Sequence, residues 1–265
     1  VSLSTFFSAE SRLRRLDLIW PALAVPGVIV ALSLYNLKGL SARYDDPHFI
    51  VSMFSSGLAV AAYLLLMVLL FFPANRIGLR LPRPHNHKQL LPLALLMTVV
   101  LSCWLTMRLS LPAHIVADNK LSLGLLKTTL LVGFNEELIF RGLVMAALCR
   151  YMGLRKGALL SLMLFGLVHM SNMLIGVKFL YSLAQVFATM LTGSLLLLAA
   201  LATRSLLIPM AAHALYDFMV LDMSTLATAG ANPLPVVLVP LTSMSLGIYC
   251  VWQIFHLQDE EPFPP

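Results

Sequence analysis

Long apolar stretches alternate with short polar segments along the whole chain. The apolar runs fall at about residues 18–37, 49–72, 90–111, 123–149, 157–176, 179–202, 205–222 and 233–255. Each comes close to the roughly 20 residues that a helix needs to cross the hydrocarbon core of a bilayer. Lipid cannot satisfy exposed backbone groups, so only helices and closed barrels span it, and these runs lack the two-residue alternation of barrel strands. The pattern predicts an all-α fold: a polytopic membrane helical bundle with about eight transmembrane helices. Linkers with turn residues lie at 38–47, 73–89, 112–122 and 153–156, the longest stiffened by Pro82 and Pro84. No linker is long enough for a second fold and no repeat is visible, so residues 1–265 read as a single membrane-embedded domain. The acidic, proline-rich end at 259–265 reads as a frayed tail.

Composition strengthens this reading. Hydrophobic residues make up 59% of the chain and charged residues 11%, against about 25% charged in soluble domains. Such a chain cannot cover itself with a water-facing surface, and membrane lipid becomes its first expected partner. The net charge of +6 is scattered between apolar runs rather than gathered into a patch, which argues against nucleic acid. Cys103, Cys149 and Cys250 have no metal-ligand spacing and read as small buried apolar residues. Arg12, Arg14 and Arg15 precede the first apolar run, and no small-residue cleavage site follows it, so it reads as a retained helix.

The basic residues also orient the bundle, because cytoplasmic loops carry the excess of Lys and Arg. With the N-terminus inside, eleven basic residues lie on the inner side, among them Arg76, Arg80, Arg83, Lys88, Arg155, Lys156 and Arg204. Only four, Lys38, Arg43, Lys120 and Lys178, lie outside. Both termini are therefore expected to be cytoplasmic. The short loops and small size fit a multi-pass protein of the bacterial plasma (inner) membrane.

Three basic residues remain inside the spans: Arg108, Lys127 and Arg141. Arg108 and Lys127 sit near the outer span ends, where long side chains reach the headgroups by snorkelling. Arg141 lies deeper and needs a partner. Ionisable residues at depth are costly and mark functional sites by default. They gather in three spans here: Asn135, Glu136, Glu137 and Arg141 in NEELIFRG, His169 in FGLVHMSN, and His213 and Asp217 in HALYD. Measured by helical rise from the inner ends of their spans, Glu136 lies at roughly 21 Å, His169 at 18 Å, and His213 and Asp217 at 12 and 18 Å. Three helices of alternating direction thus bring these groups to similar depth. Glu137 and Arg141 are four residues apart on one helix face, as are His213 and Asp217, so each pair can interact.

The three motifs, Glu136-Glu137-x-x-x-Arg141, Phe165-x-x-x-His169 and His213-x-x-x-Asp217, resemble those of the CAAX-protease and bacteriocin-processing (Abi) family of intramembrane proteases, which includes the type II CAAX prenyl endopeptidases. The resemblance covers about residues 123–222, the expected catalytic core. It implies an endopeptidase of the glutamate type, free of metal and cofactor, acting near the C-terminus of a prenylated protein or on another membrane-associated peptide. Peptide hydrolysis needs an activated water and donors for the developing oxyanion. Glu136 with His169 can hold and deprotonate that water, as the resemblance also implies. His213, with Asp217 beside it, can serve the oxyanion, while Glu137 and Arg141 orient the site. Some family members carry Asn where this chain has Asp217, and an ionised Asp cannot donate a hydrogen bond.

Other readings stay open on the residues alone. Glu137 and Arg141 can form a purely structural pair, and a lone histidine is often a satisfied core residue. Two histidines and a carboxylate can bind zinc, but the His-Glu-x-x-His spacing is absent and the resemblance favours a metal-free site. A catalytically idle immunity or partner-binding factor of the same family, or a proton-coupled transporter, would also keep polar residues in the bundle. Against transport, the sequence shows neither an inverted repeat nor paired broken helices. A clean GxxxG motif is missing, which leaves the oligomeric state open.

Overall fold

The computed structural model describes residues 27, 47–71, 77–84, 86–112 and 119–257, and every regular element among them is helical. α1 (Pro47–Ser52) is followed after Met53 by α2 (Phe54–Phe71), and α3 covers His87–Ser110. α4 (Asn119–Glu137) continues through a π-helical turn, Leu138–Val144, into α5 (Met145–Met152). Gly153 alone separates α5 from α6 (Leu154–Leu167), which tightens into a 3₁₀ turn over Val168–Ile175. α7 (Phe179–Thr203), α8 (Leu207–Thr228) and α9 (Leu234–Phe255) complete the described chain. Seven of the predicted spans correspond to these helices. The first, at 18–37, and the tail at 259–265 lie outside the described residues.

Four stretches are long and apolar enough to cross a membrane: His87–Ser110, Leu154–Ile175, Phe179–Thr203 and Leu234–Phe255. α2 is a shorter apolar helix. α4 and α8 carry the ionisable residues of the sequence motifs, and those residues dilute their apolar character. α7 is central: every residue from Gly193 to Thr203 is buried, as expected of a helix apolar on all faces. It packs on α3, α6, α8 and α9, while α8 lies between α3 and α4.

The helices approach closely where glycine removes the side chain. A Cβ at Gly133 of α4 would stand 2.7 Å from Met210 O of α8, and one at Gly247 of α9 would stand 2.5 Å from Leu191 O of α7. Small residues at such crossings are how membrane helices bring their backbones together. Here they act singly rather than in a paired motif.

The segment 77–84 fastens the tight turn between α7 and α8. Leu206 N donates to Gly78 O at 2.8 Å, and Arg83 N donates to Thr203 O at 2.8 Å. Arg80 Nε donates to Arg204 O at 2.6 Å, next to the left-handed backbone of Arg204 at φ 52°. These bonds fix where α8 starts, and so the level of His213 two turns later.

Arg108 corrects the sequence reading. Rather than snorkelling, its guanidinium folds inward onto Asp222 of α8, with Nε to Oδ2 at 3.0 Å and Nη2 to Oδ1 at 3.1 Å. A buried carboxylate that accepts both forks outcompetes the headgroup layer, because a bidentate charged pair exceeds a hydrated single contact. Lys127 is exposed, and the three cysteines are free, with Cys149 and Cys250 buried and Cys103 half-buried.

Candidate active site

The centre of the site is the pair Glu137 and Arg141, buried to 0% and 1% side-chain exposure. Arg141 Nη1 donates to Glu137 Oε1 at 2.9 Å, one helical turn away. Its second fork, Nη2, donates to Gly193 O of α7 at 2.9 Å. Below the guanidinium lies the Phe165 ring, with Arg141 Cζ 4.1 Å from its centroid, a cation–π contact of the kind favoured away from water. A buried arginine is costly unless its charge and donors are met; here a carboxylate, a carbonyl and an aromatic face meet them.

Gly193 makes this possible. A Cβ there would fall 2.6 Å from Arg141 Nη2 and 2.8 Å from the Phe165 ring. The sequence reading did not single out Gly193, although a lone glycine inside a strongly apolar helix is itself a sign of close approach.

The same Glu137 oxygen takes a second bond, from His213 Nδ1 of α8 at 2.9 Å. Glu137 Oε2 meets no donor in the described structure, so both partners converge on Oε1. A carboxylate can only accept, which makes Nδ1 the protonated nitrogen of His213. The opposite nitrogen, Nε2, points toward Asp217 Oδ2 at 3.4 Å and Glu136 Oε2 at 3.7 Å. Glu136 and Asp217 are the accessible members, at 29% and 31% side-chain exposure. The site therefore has a buried half that fixes the imidazole and a more accessible half that carries Glu136 and Asp217.

His169 packs against the Phe165 ring. Its Nδ1 lies 2.9 Å from Phe165 O, one turn back, and because a carbonyl only accepts, Nδ1 carries the proton and Nε2 is left as an acceptor. Phe165 is the common support: Phe140, His169 and His213 all meet its ring in T-shaped contacts, with centroids 5.2, 5.4 and 6.1 Å away.

Two irregular turns flank these residues. The π-helical turn begins directly after Glu137, with Met145 N donating to Phe140 O, and that carbonyl also accepts Ser161 Oγ of α6 at 2.8 Å. The 3₁₀ turn begins one residue before His169. Both departures from α geometry recur at functional sites, and neither is visible in the residue pattern. Asn135 ties α4 to α2 through Nδ2 and Gly57 O at 2.9 Å.

Five of the six residues singled out in the sequence are thus joined by direct contacts, and His169 is connected to them through Phe165. The arrangement differs from the expectation in its pairings. No hydrogen bond or ion pair joins Glu136 directly to His169; the imidazole nearest Glu136 is that of His213, and Glu137 binds His213 as well as Arg141. These cross-helix choices depend on how α8 faces α4, which spacing within one helix cannot report. Among the described residues no three side chains converge as a metal site.

Residues 118–219 match the model of a family described as Type II CAAX prenyl endopeptidase Rce1-like. This part of the chain is thus similar to that family, and with the four apolar helices the match points to an integral membrane protein. It takes in all six residues of the site. Comparison with curated proteins and with solved structures gives no match.

Proposed function

We propose that this protein is an intramembrane endopeptidase that cleaves a prenylated protein near its C-terminus or another membrane-associated peptide, using water activated by Glu136. The observation that carries the reading is the division of labour within the site. Buried Glu137 and Arg141 fix His213, which turns Nε2 toward the two accessible carboxylates.

In this mechanism a water lies between Glu136 and the acceptor Nε2 of His169. Glu136 takes a proton from it as its oxygen adds to the scissile carbonyl carbon. His213, donating from Nε2 when protonated, meets the developing oxyanion, and Asp217 keeps the ring in place. Glu136 then returns the proton to the leaving nitrogen as the C–N bond breaks. General-base catalysis of this kind contributes about 10²–10⁴-fold, and a well-placed oxyanion donor about 10²–10³-fold. The chain acts without metal or cofactor, in the bacterial inner membrane, with both termini cytoplasmic.

The test is a comparison of new protein termini in membranes containing the wild-type chain or Glu136→Gln. Cleavage products are expected only with the wild type, while both proteins insert and unfold at the same temperature; His169→Ala should match Glu136→Gln. Products that persist with Glu136→Gln would sink the protease reading. The non-catalytic immunity or partner-binding factor would then be the better account.

A further inference from the structure

A second polar cluster lies outside the candidate active site. Asp222, at 2% side-chain exposure, receives four hydrogen bonds on its two oxygens. Trp104 Nε1 of α3 donates to Oδ2 at 2.7 Å, and Ser122 Oγ of α4 donates to Oδ1 at 2.8 Å. Arg108 supplies the other two and also reaches Ser122 Oγ at 2.8 Å, its guanidinium 5.1 Å from the Trp104 ring. The Trp104 ring in turn packs on Phe218 at 5.9 Å between centroids, the residue next to Asp217.

Asp222 follows His213 by nine residues, so the two side chains leave α8 about 180° apart and about 13 Å apart along its axis. One grips α4 through Glu137, and the other grips α3 through Trp104 and Arg108 and the start of α4 through Ser122. Packing between α3 and α4 already holds α8; polar grips on opposite faces add directional bonds that oppose rotation about its axis. With side chains about 6 Å from the axis, a turn of about 10° moves His213 Nε2 and Asp217 by about 1 Å. Starting from 3.4 and 3.7 Å, such a shift breaks the arrangement, and misplacement on this scale costs about 10²-fold in rate.

We infer that Asp222 and Arg108 are positioning residues for the proposed reaction: they form a clamp that sets the rotation of α8 and thereby aims His213 and Asp217 at Glu136. This rests on the protease reading of the site. The test separates aim from stability by replacing the clamp with apolar side chains of similar size, Arg108→Met together with Asp222→Leu. Apolar replacements of buried ion pairs often preserve stability but do not hold a helix at one rotation.

The full-length protein in nanodiscs would be assayed with a fluorogenic farnesylated CAAX-type peptide and, in parallel, by thermal unfolding. The expected result is an unfolding temperature near wild type, KM within about threefold, and kcat reduced by roughly 10–100-fold. Arg108→Lys, which keeps the charge but loses the fork, should lower kcat in the same direction and serves if the double variant does not fold. Wild-type kcat in these variants, or losses that track the unfolding temperature alone, would overturn the proposal. If the wild type does not cleave this peptide, a prenylated substrate is ruled against and the clamp is judged by spin-label distances between Cys placed at Lys127 and Ala211 in a chain whose native cysteines are replaced. A broadened distribution in the double variant supports the clamp; an unchanged one refutes it.

Discussion

Gly193→Ala tests whether the buried half of the site is built as described. In an unobstructed helix interior this substitution stabilises by about 1 kcal/mol, because alanine gives up less backbone freedom on folding. At Gly193 the new methyl would fall 2.6 Å from Arg141 Nη2 and 2.8 Å from Phe165, both well inside van der Waals contact. The guanidinium cannot retreat without leaving Gly193 O, to which it donates at 2.9 Å. Overpacking costs about 1–3 kcal/mol, and a lost hydrogen bond to a charged group about 1.5–3 kcal/mol. Set against the propensity gain, the net expectation is a loss of about 2–5 kcal/mol. For a chain of this size that lowers the unfolding temperature by several degrees or more, readable with a thiol-reactive or intrinsic fluorescence probe in detergent. A double-mutant cycle sharpens the test: with Arg141→Ala already present, only the contact with Phe165 remains and the cost of the methyl should fall. An unfolding temperature equal to or above wild type for Gly193→Ala would refute the proposed packing of Arg141 against α7.

Three further outcomes are expected. Glu137→Gln leaves Arg141 as an uncompensated buried charge and should cost about 3–5 kcal/mol, seen as reduced yield and a lower unfolding temperature, whereas Glu136→Gln should not. Asp217→Asn keeps an oxygen that can accept from His213 Nε2 and should retain cleavage; its complete loss would show that the negative charge itself is required. Cleavage should persist after dialysis against EDTA, and activity lost to the chelator and restored by zinc would replace the glutamate mechanism with a metal-dependent one.

The helical architecture is legible in the sequence because a span needs little beyond length and apolarity. The helix α3 at His87–Ser110 was expected at 90–111, and α9 at Leu234–Phe255 was expected at 233–255. The site residues are legible for a related reason: charge is so costly in an apolar span that Glu136, Glu137, Arg141, His169, His213 and Asp217 stand out individually. What spacing could not give is partnership between helices. The bond from His213 to Glu137 joins residues 76 apart, and that from Arg108 to Asp222 joins residues 114 apart. Asp222 falls at the margin of a predicted span, where a carboxylate carries no signal of burial, and so the sequence alone assigns Arg108 to the headgroups. Gly193 is silent in another way, since its role is the space it leaves for Arg141 rather than a group that it presents.

The uninterrupted helix from Asn119 to Met152 has a mechanical consequence for the surrounding bilayer. At the helical rise it is about 50 Å long, well beyond a hydrocarbon core of about 30 Å. A helix that exceeds the core must tilt or project into the headgroups. Lipid chain length therefore becomes a variable that acts on this protein through the tilt of its longest helix.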